Sequence, residues 1–159
     1  MSGRARMMPA QSIAEPKPRE FVFLLAHEFS MMAFAAAIEP LRQANRMARK
    51  KHYRWSIASV DGEAVACSNG CRIGADTGLL DLDRDATIVV CTGMDLRAAA
   101  DRRVLAWLRT QSRRGVQLGA VCTGSHILAT AGLLDGRRCT IHWENQAAFA
   151  EEFPEAELT

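Results

Sequence analysis

A three-layer α/β sandwich is the fold class that the sequence predicts, and three observations predict it. Short apolar runs alternate with helical stretches along the chain, which is typical of strands joined by crossover helices into a parallel sheet. The apolar runs are continuous, as in strands that are buried on both faces. The chain has 159 residues, of which 48% are hydrophobic and 24% charged, and this composition is ordinary for one globular domain or most of one.

Each element follows from its own local pattern. Ser30 is suited to cap a helix over 31–48, in which Pro40 predicts a kink or a restart. A Ser-Asn-Gly turn at 68–70 predicts a small hairpin or an irregular arm within 65–73. The other predicted strands are 21–26, 53–60, 86–91 and 116–121, with 138–141 as a candidate for a further one, and the other predicted helices are 95–113, 123–131 and 145–153.

Composition and charge exclude several classes of protein. The formal net charge is +2, which is too near neutral to indicate nucleic-acid binding by this chain. No apolar run reaches the ~18 residues of a membrane helix, and no apolar segment of a secretory signal precedes Pro9. We therefore expect a cytoplasmic protein with no membrane partner. Residues 1–19 are polar, charged and proline-containing, and they predict a disordered leader.

The cysteines do not indicate disulfides or a metal. Their number is five, and an odd count does not suit a secreted disulfide framework. Cys67 and Cys71 have a spacing that zinc sites tolerate. No second pair of cysteines or histidines lies nearby in sequence, so we predict no metal site, and we expect no cofactor.

The most informative stretch is 119–126, with the sequence Gly-Ala-Val-Cys-Thr-Gly-Ser-His. An apolar strand runs into a helix with Cys122 at the junction and the small residues Ala120 and Gly124 two positions away on either side, which is the thiol version of a nucleophile elbow. At a helix N-terminus the dipole favours the thiolate, and backbone N–H groups there could hold an anion. The alternative is a buried cysteine before an ordinary helix.

A catalytic cysteine needs a base and a group that orients the base. His126 lies on the helix that follows Cys122, and we interpret it as a surface or packing residue. His142 is the better candidate, because it follows the candidate strand at 138–141 and strand ends carry functional groups in α/β sheets. A structural histidine that is hydrogen-bonded near Trp143 stays open as the alternative.

Further motifs surround the elbow, at 29–34, 38–46, 59–62, 68–70, 131–138 and 140–143. Together with the elbow they resemble the N-terminal domain of AraC-family transcriptional regulators of the GlxA type, a domain of the DJ-1/PfpI (class I glutamine amidotransferase-like) superfamily. The resemblance covers residues 20–159. The front half is most similar to regulators that sense small amines, such as the glycine betaine, carnitine and arginine groups.

The resemblance implies a flavodoxin-like, mostly parallel sandwich that forms a homodimer and senses a small-molecule effector, such as a quaternary amine or an amino acid. In that family a C-terminal pair of helix-turn-helix motifs binds DNA, and this chain has no room for it. Residues 20–159 are therefore expected to be an incomplete sensor domain that ends before the family's last strand and helix. DNA would be a partner only through the absent domain.

The resemblance also implies where the effector binds. The pocket would lie over the elbow cysteine, between the loop after the first strand, from His27 to Ser30, and His142–Trp143. The expected ligand-binding residues are Cys122, Thr123, Phe29, Ser30, His142 and Trp143. For a quaternary amine, Trp143 or Phe29 would supply a cation–π contact.

The superfamily also contains enzymes, and two departures argue against an enzyme here. Active relatives place an acid early in the first helix, where this chain has Ala33, and PfpI-type peptidases place a histidine directly after the cysteine, where this chain has Thr123. We therefore expect no catalytic residue. The rival is an isocyanide hydratase-like enzyme, which shares the Cys-Thr-Gly and Thr-x-His-Trp stretches and would use Cys122 and His142. A dimerisation module without a ligand is a third alternative.

Overall fold

The structure is a computed structural model that describes residues 16–159. Residues 1–15 of the predicted leader lie outside the described residues, and Arg19 already belongs to the first strand. The strands are β1 (Arg19–Leu25), β2 (Tyr53–Ala58), β3 (Val65–Ala66), β4 (Arg72–Ile73), β5 (Thr87–Cys91), β6 (Gln117–Val121), β7 (Arg138–Cys139) and β8 (Glu157–Leu158). The helices are α1 (Met31–Ala48), α2 (Leu96–Ala99), α3 (Arg102–Arg113), α4 (Gly124–Thr130) and α5 (Gln146–Glu152), with a 3-10 turn at Trp143–Asn145. None of these helices is long and apolar enough to cross a membrane.

Four strands form a parallel sheet in the order β2-β1-β5-β6. The register pairs Leu25 with Cys91 and Cys91 with Val121, so β1, β5 and β6 all end at the same edge. Parallel strands need crossover connections, which place helices against the faces of the sheet. The edge at the carboxyl ends of the strands is where open α/β sheets bind ligands.

Both faces of the sheet are covered by helices. Successive side chains of a strand point to opposite faces. On one face, Phe23 belongs to an apolar cluster with Phe34 of α1. On the other face, Leu24 belongs to a cluster with Leu108 of α3 and Ile127 of α4. The predicted three-layer α/β sandwich is therefore confirmed.

Helix α1 begins where the sequence predicts and runs without a break. The Ser30 hydroxyl accepts a hydrogen bond from the backbone N–H of Ala33 at 3.3 Å. Pro40 lies inside the helix, which continues through it for 18 residues in all, so the expected restart does not occur. In the last turn of the helix, the Asn45 side-chain amide donates to the Tyr53 carbonyl at 2.8 Å and ties the start of β2 to α1.

The helix predicted over 95–113 is two helices. The Asp95 carboxylate caps α2 by accepting from the Ala98 N–H, and the Asp101 carboxylate caps α3 by accepting from the Arg103 N–H at 2.7 Å. The backbone of Asp101, with ψ of 133°, is not helical. The prediction was wrong because an aspartate can take backbone donors for itself, which favours a new helix start over a helix interior.

The predicted hairpin forms and lies on the loop that follows β1. Strands β3 and β4 pair antiparallel. The Glu28 N–H donates to the Ala66 carbonyl at 3.0 Å, and the Ser68 N–H donates to the Phe29 carbonyl at 3.1 Å. The hairpin therefore fixes the backbone of the β1–α1 loop.

The candidate strand at 138–141 is shorter than predicted and does not join the main sheet. β7 pairs with β8 in a separate two-stranded parallel sheet. Helix α5 lies between these two strands in the sequence, and its Phe149 packs against Ile141 and against Ala129 of α4. This pairing joins residues about twenty positions apart, and a local pattern carries no information about it.

Candidate functional site

Cys122 lies at a sharp turn between β6 and α4. Its φ angle is +57°, in the left-handed region that only a few per cent of non-glycine residues adopt. Strain of this kind persists where the surroundings hold the backbone in place, and it is concentrated at functional sites. The structure therefore forms the elbow that the sequence predicts at this position.

The elbow requires small neighbours, as the sequence predicts. A Cβ atom placed on Gly124 would lie 2.3 Å from the Val90 carbonyl oxygen and 3.2 Å from the Cβ of Ala120. The first distance is far below any normal contact, because α4 begins directly against the backbone of β5. Only glycine fits at position 124 without moving that strand.

The Thr123 side chain holds the elbow to the end of β5. Its hydroxyl donates to the Gly93 carbonyl and lies 2.8 Å from the Thr92 hydroxyl. Since the single proton of Thr123 goes to Gly93, the Thr92 hydroxyl is the donor of the second bond. Thr123 is wholly buried, so its side chain supports the elbow and does not face a ligand in this conformation.

The loop after β1 contributes Ser30 and Phe29 to this region. The Ser30 N–H donates to the Thr92 carbonyl at 3.3 Å, which places the start of α1 beside the elbow. Phe29 is wholly buried, and its ring meets the Phe34 ring edge-on at a centroid distance of 5.7 Å. This burial corrects the expectation of a cation–π contact from Phe29, because its ring lies in the core under α1.

His142 and Trp143 flank the elbow from the other side. The His142 N–H donates to the Cys122 carbonyl at 3.2 Å. The His142 Nδ1 atom is buried without a hydrogen-bond partner, and the nearest carboxylate oxygen, that of Glu144, lies 3.9 Å away. Trp143 stacks beside His142 at 5.8 Å and is 72% exposed, so its ring is available to a ligand or a partner.

The surroundings of the Cys122 thiol do not complete a catalytic set. Within residues 16–159 the thiol forms no hydrogen bond. The first turn of α1 carries no acidic residue, so that turn offers the thiol no carboxyl group. His126 points elsewhere, because its Nε2 lies 3.0 Å from the Glu152 carboxylate and its ring packs on Phe153.

The cysteines are expected to differ sharply in reactivity. Burial raises the pKa of Cys91 to about 12, with a further contribution from the charge of Cys122, which leaves about one thiolate in ten thousand at pH 8. Burial also raises the pKa of Cys67. With iodoacetamide at pH 8, we expect peptide mass mapping to show rapid labelling of the exposed Cys71 and none of Cys91.

The control for this labelling is the same protein unfolded in guanidinium chloride, in which all five cysteines should react. Labelling of Cys91 in the folded protein at the rate of Cys71 would contradict the burial of Cys91.

Two cavities among the described residues have linings that do not include Cys122. A cavity of about 680 Å³ lies beside the start of β6 and the end of α4. A smaller one, of about 210 Å³, lies at the carboxyl ends of β1 and β2 and is lined in part by His27, Asp61 and Arg72. Sequence reasoning did not place these three residues in one site, because they are far apart along the chain: His27 lies in the loop expected beside the elbow, Asp61 lies in the motif at 59–62, and Arg72 belongs to no motif.

A parallel sheet of this order, with a strained cysteine between its last strand and the following helix, defines a flavodoxin-like domain with a nucleophile elbow. The chain belongs to the DJ-1/PfpI family, whose model matches residues 19–155.

The most similar relatives include transcriptional regulators. The HTH-type transcriptional regulator GbdR of Pseudomonas aeruginosa is 41% identical over 142 residues, which are 89% of this chain and 39% of that protein. The HTH-type transcriptional regulator CdhR of the same species is 44% identical over 141 residues, which are 89% of this chain and 42% of that protein. The chain thus spans about two fifths of the length of these relatives.

A solved structure of a transcriptional regulator is also similar to this chain. The crystal structure of an AraC family transcriptional regulator from Pseudomonas putida superposes with a TM-score of 0.76 and 29% identity, covering 89% of this chain and 76% of that one. An isonitrile hydratase from Pseudomonas putida matches over 43 residues at 44% identity, which is 27% of this chain.

Proposed function

We propose that this chain is the effector-sensing part of an AraC-family transcriptional regulator, in which a helix-turn-helix domain outside residues 1–159 binds DNA. The observation that carries the proposal is the similarity to two HTH-type regulators, each over 89% of this chain. The proposal includes a homodimer in the cytoplasm whose geometry, and hence the spacing of its DNA-binding halves, is biased by a small metabolite.

The chemistry around the elbow supports sensing rather than turnover. A nucleophilic thiol needs a base and a group that orients the base, and the Cys122 thiol forms no hydrogen bond within residues 16–159. A binding site needs only shape and a few polar groups. Cys122, Ser30, His142 and Trp143 are the residues that would face a ligand at the elbow, and the buried Phe29 and Thr123 would hold that surface in place.

The test uses the complete gene product, including whatever the gene encodes after Thr159. Fluorescence anisotropy with DNA from upstream of its own gene, at a fixed salt concentration, should show binding that is much tighter than to a scrambled sequence of the same length. Adding the cognate metabolite should change that affinity. A well-folded protein with no preference between the two DNAs would overturn the proposal.

An isonitrile hydratase is the second candidate, and the 43-residue match to such an enzyme favours it. Such an enzyme adds water to an isocyanide, R–NC, and gives the N-substituted formamide, R–NH–CHO. Cyclohexyl isocyanide turnover that is lost in Cys122→Ala and kept in Cys71→Ala would support this candidate. Turnover that survives in Cys122→Ala would remove the elbow cysteine from the reaction, and no turnover would reject the enzyme.

A further inference from the structure

The smaller cavity lies between the hairpin and the main sheet, on the far side of β1 from the elbow. Its volume is about 210 Å³, which is room for about seven water molecules or a metabolite of similar size. The polar residues of its lining are His27, Ser59, Asp61 and Arg72, and the others are small or aliphatic. It shares the carboxyl edge of the sheet with the elbow, and this edge is where ligands bind in open α/β sheets.

Asp61 supplies an anionic group to this cavity. One of its oxygens, Oδ1, accepts from the Glu63 N–H at 3.0 Å and from the Ser59 hydroxyl at 3.3 Å. The N–H of Glu63 is the largest cause of the lowered pKa of Asp61, to which Ser59 and the nearby Arg103 also contribute. Arg103 is itself paired with Asp101. The second oxygen of Asp61, Oδ2, accepts no hydrogen bond from residues 16–159.

Arg72 supplies a cationic group to the same cavity. Its Nη2 donates to the Ala64 carbonyl at 2.7 Å, which places the guanidinium along the hairpin. Its Nε and Nη1 donate to no other group in the described part of the chain. A guanidinium with free N–H groups is well suited to a carboxylate, which it can bind through two hydrogen bonds.

We propose that this cavity binds a small zwitterion, with its carboxylate on Arg72 and its ammonium group on Oδ2 of Asp61. The lining contains no phenylalanine, tyrosine or tryptophan, and such rings are what recognises a quaternary ammonium group. A nitrogen that carries N–H donors fits the free Asp61 oxygen better. The expected class of ligand is therefore an amino acid with a free amino group, not a betaine.

The cavity is connected to the elbow through the backbone. The hairpin that carries Arg72 is bonded to the β1–α1 loop through the Glu28 N–H, which donates to Ala66, and through the Phe29 carbonyl, which accepts from Ser68. A ligand that draws Arg72 toward Asp61 would therefore act on the loop that leads to Ser30. The role of the cavity as an effector site rests on the proposed function, whereas binding itself can be measured without it.

Isothermal titration calorimetry on the 159-residue chain tests the inference. The probes are β-alanine and γ-aminobutyrate, compared with glycine betaine, propylamine and propionate. We expect saturable heat with at least one of the two amino acids and none with the single-charge probes. Asp61→Asn and Arg72→Gln should each weaken binding at least about tenfold. Arg114→Gln, which removes an exposed ion pair elsewhere, should leave binding unchanged.

The other outcomes overturn the inference. Glycine betaine binding as tightly as the amino acids would reject the argument from N–H donors. Binding that is lost in Cys122→Ser and kept in Asp61→Asn would move the ligand to the elbow and leave the regulator proposal standing. No binding of any probe to the folded chain would reject the cavity as a site for these zwitterions, while the DNA-binding measurement on the complete gene product judges the regulator proposal separately.

Discussion

Gly124→Ala is expected to lower the free energy of unfolding by about 3 kcal/mol or more, although α4 begins at this residue. Helix propensity alone predicts the opposite sign, since alanine is favoured over glycine in a helix by about 1 kcal/mol. The added Cβ would lie 2.3 Å from the Val90 carbonyl oxygen. That oxygen belongs to β5, which is paired on both sides in the sheet, so the strand cannot move away without breaking its pairing.

Urea denaturation of the wild type and of two glycine variants measures this effect. Gly74→Ala is the matched control, because a Cβ at Gly74 would meet nothing within 4 Å, and its stability should lie within about 0.5 kcal/mol of the wild type. A Gly124→Ala protein as stable as the control, or more stable, would show that the elbow is not packed as described. Loss of folded protein in this variant alone would support the packing.

The elbow could be predicted from the sequence because its cause is local and steric. A strand that turns directly into a helix brings its own residues on either side of Cys122 together. The small size of Ala120 and Gly124 follows from that geometry, whichever other elements surround it. The buried strands could be predicted for a similar reason, since strands covered on both faces need apolar residues at consecutive positions.

The break between α2 and α3 could not be predicted from the apolar pattern. The stripe of apolar residues is compatible with one helix over 95–113, and the interruption comes from Asp101, which caps α3 instead of continuing α2. An aspartate inside a helical pattern therefore indicates a possible second start. Asp101 was visible in the sequence, but the spacing of apolar residues does not show that an aspartate starts a new helix.

The grouping of these charged residues in one cavity had no signal in the sequence. Asp61 follows β2, Arg72 lies in the hairpin and His27 follows β1, and only the tertiary fold brings these residues to one cavity. The burial of Phe29 is a similar case. Its neighbours along the chain are polar, and its place in the core depends on the hairpin and on Phe34 of α1.

Phe29→Ala is expected to lower the free energy of unfolding by about 3–5 kcal/mol, the usual cost of removing a buried aromatic side chain. The ring has no exposed surface, and it packs edge-on against Phe34 in the cluster between the sheet and α1.

The control is Trp143→Ala, which removes a larger ring that is 72% exposed, and we expect it to cost less than about 1 kcal/mol. Phe29→Leu, which keeps most of the apolar volume, should fall between the two and stays measurable if Phe29→Ala does not fold. Chemical denaturation of the three variants measures the loss in the free energy of unfolding for each and so ranks them. Equal losses for Phe29→Leu and Trp143→Ala, with Phe29→Ala close to the wild type, would mean that the Phe29 ring is outside the core and available to a ligand after all.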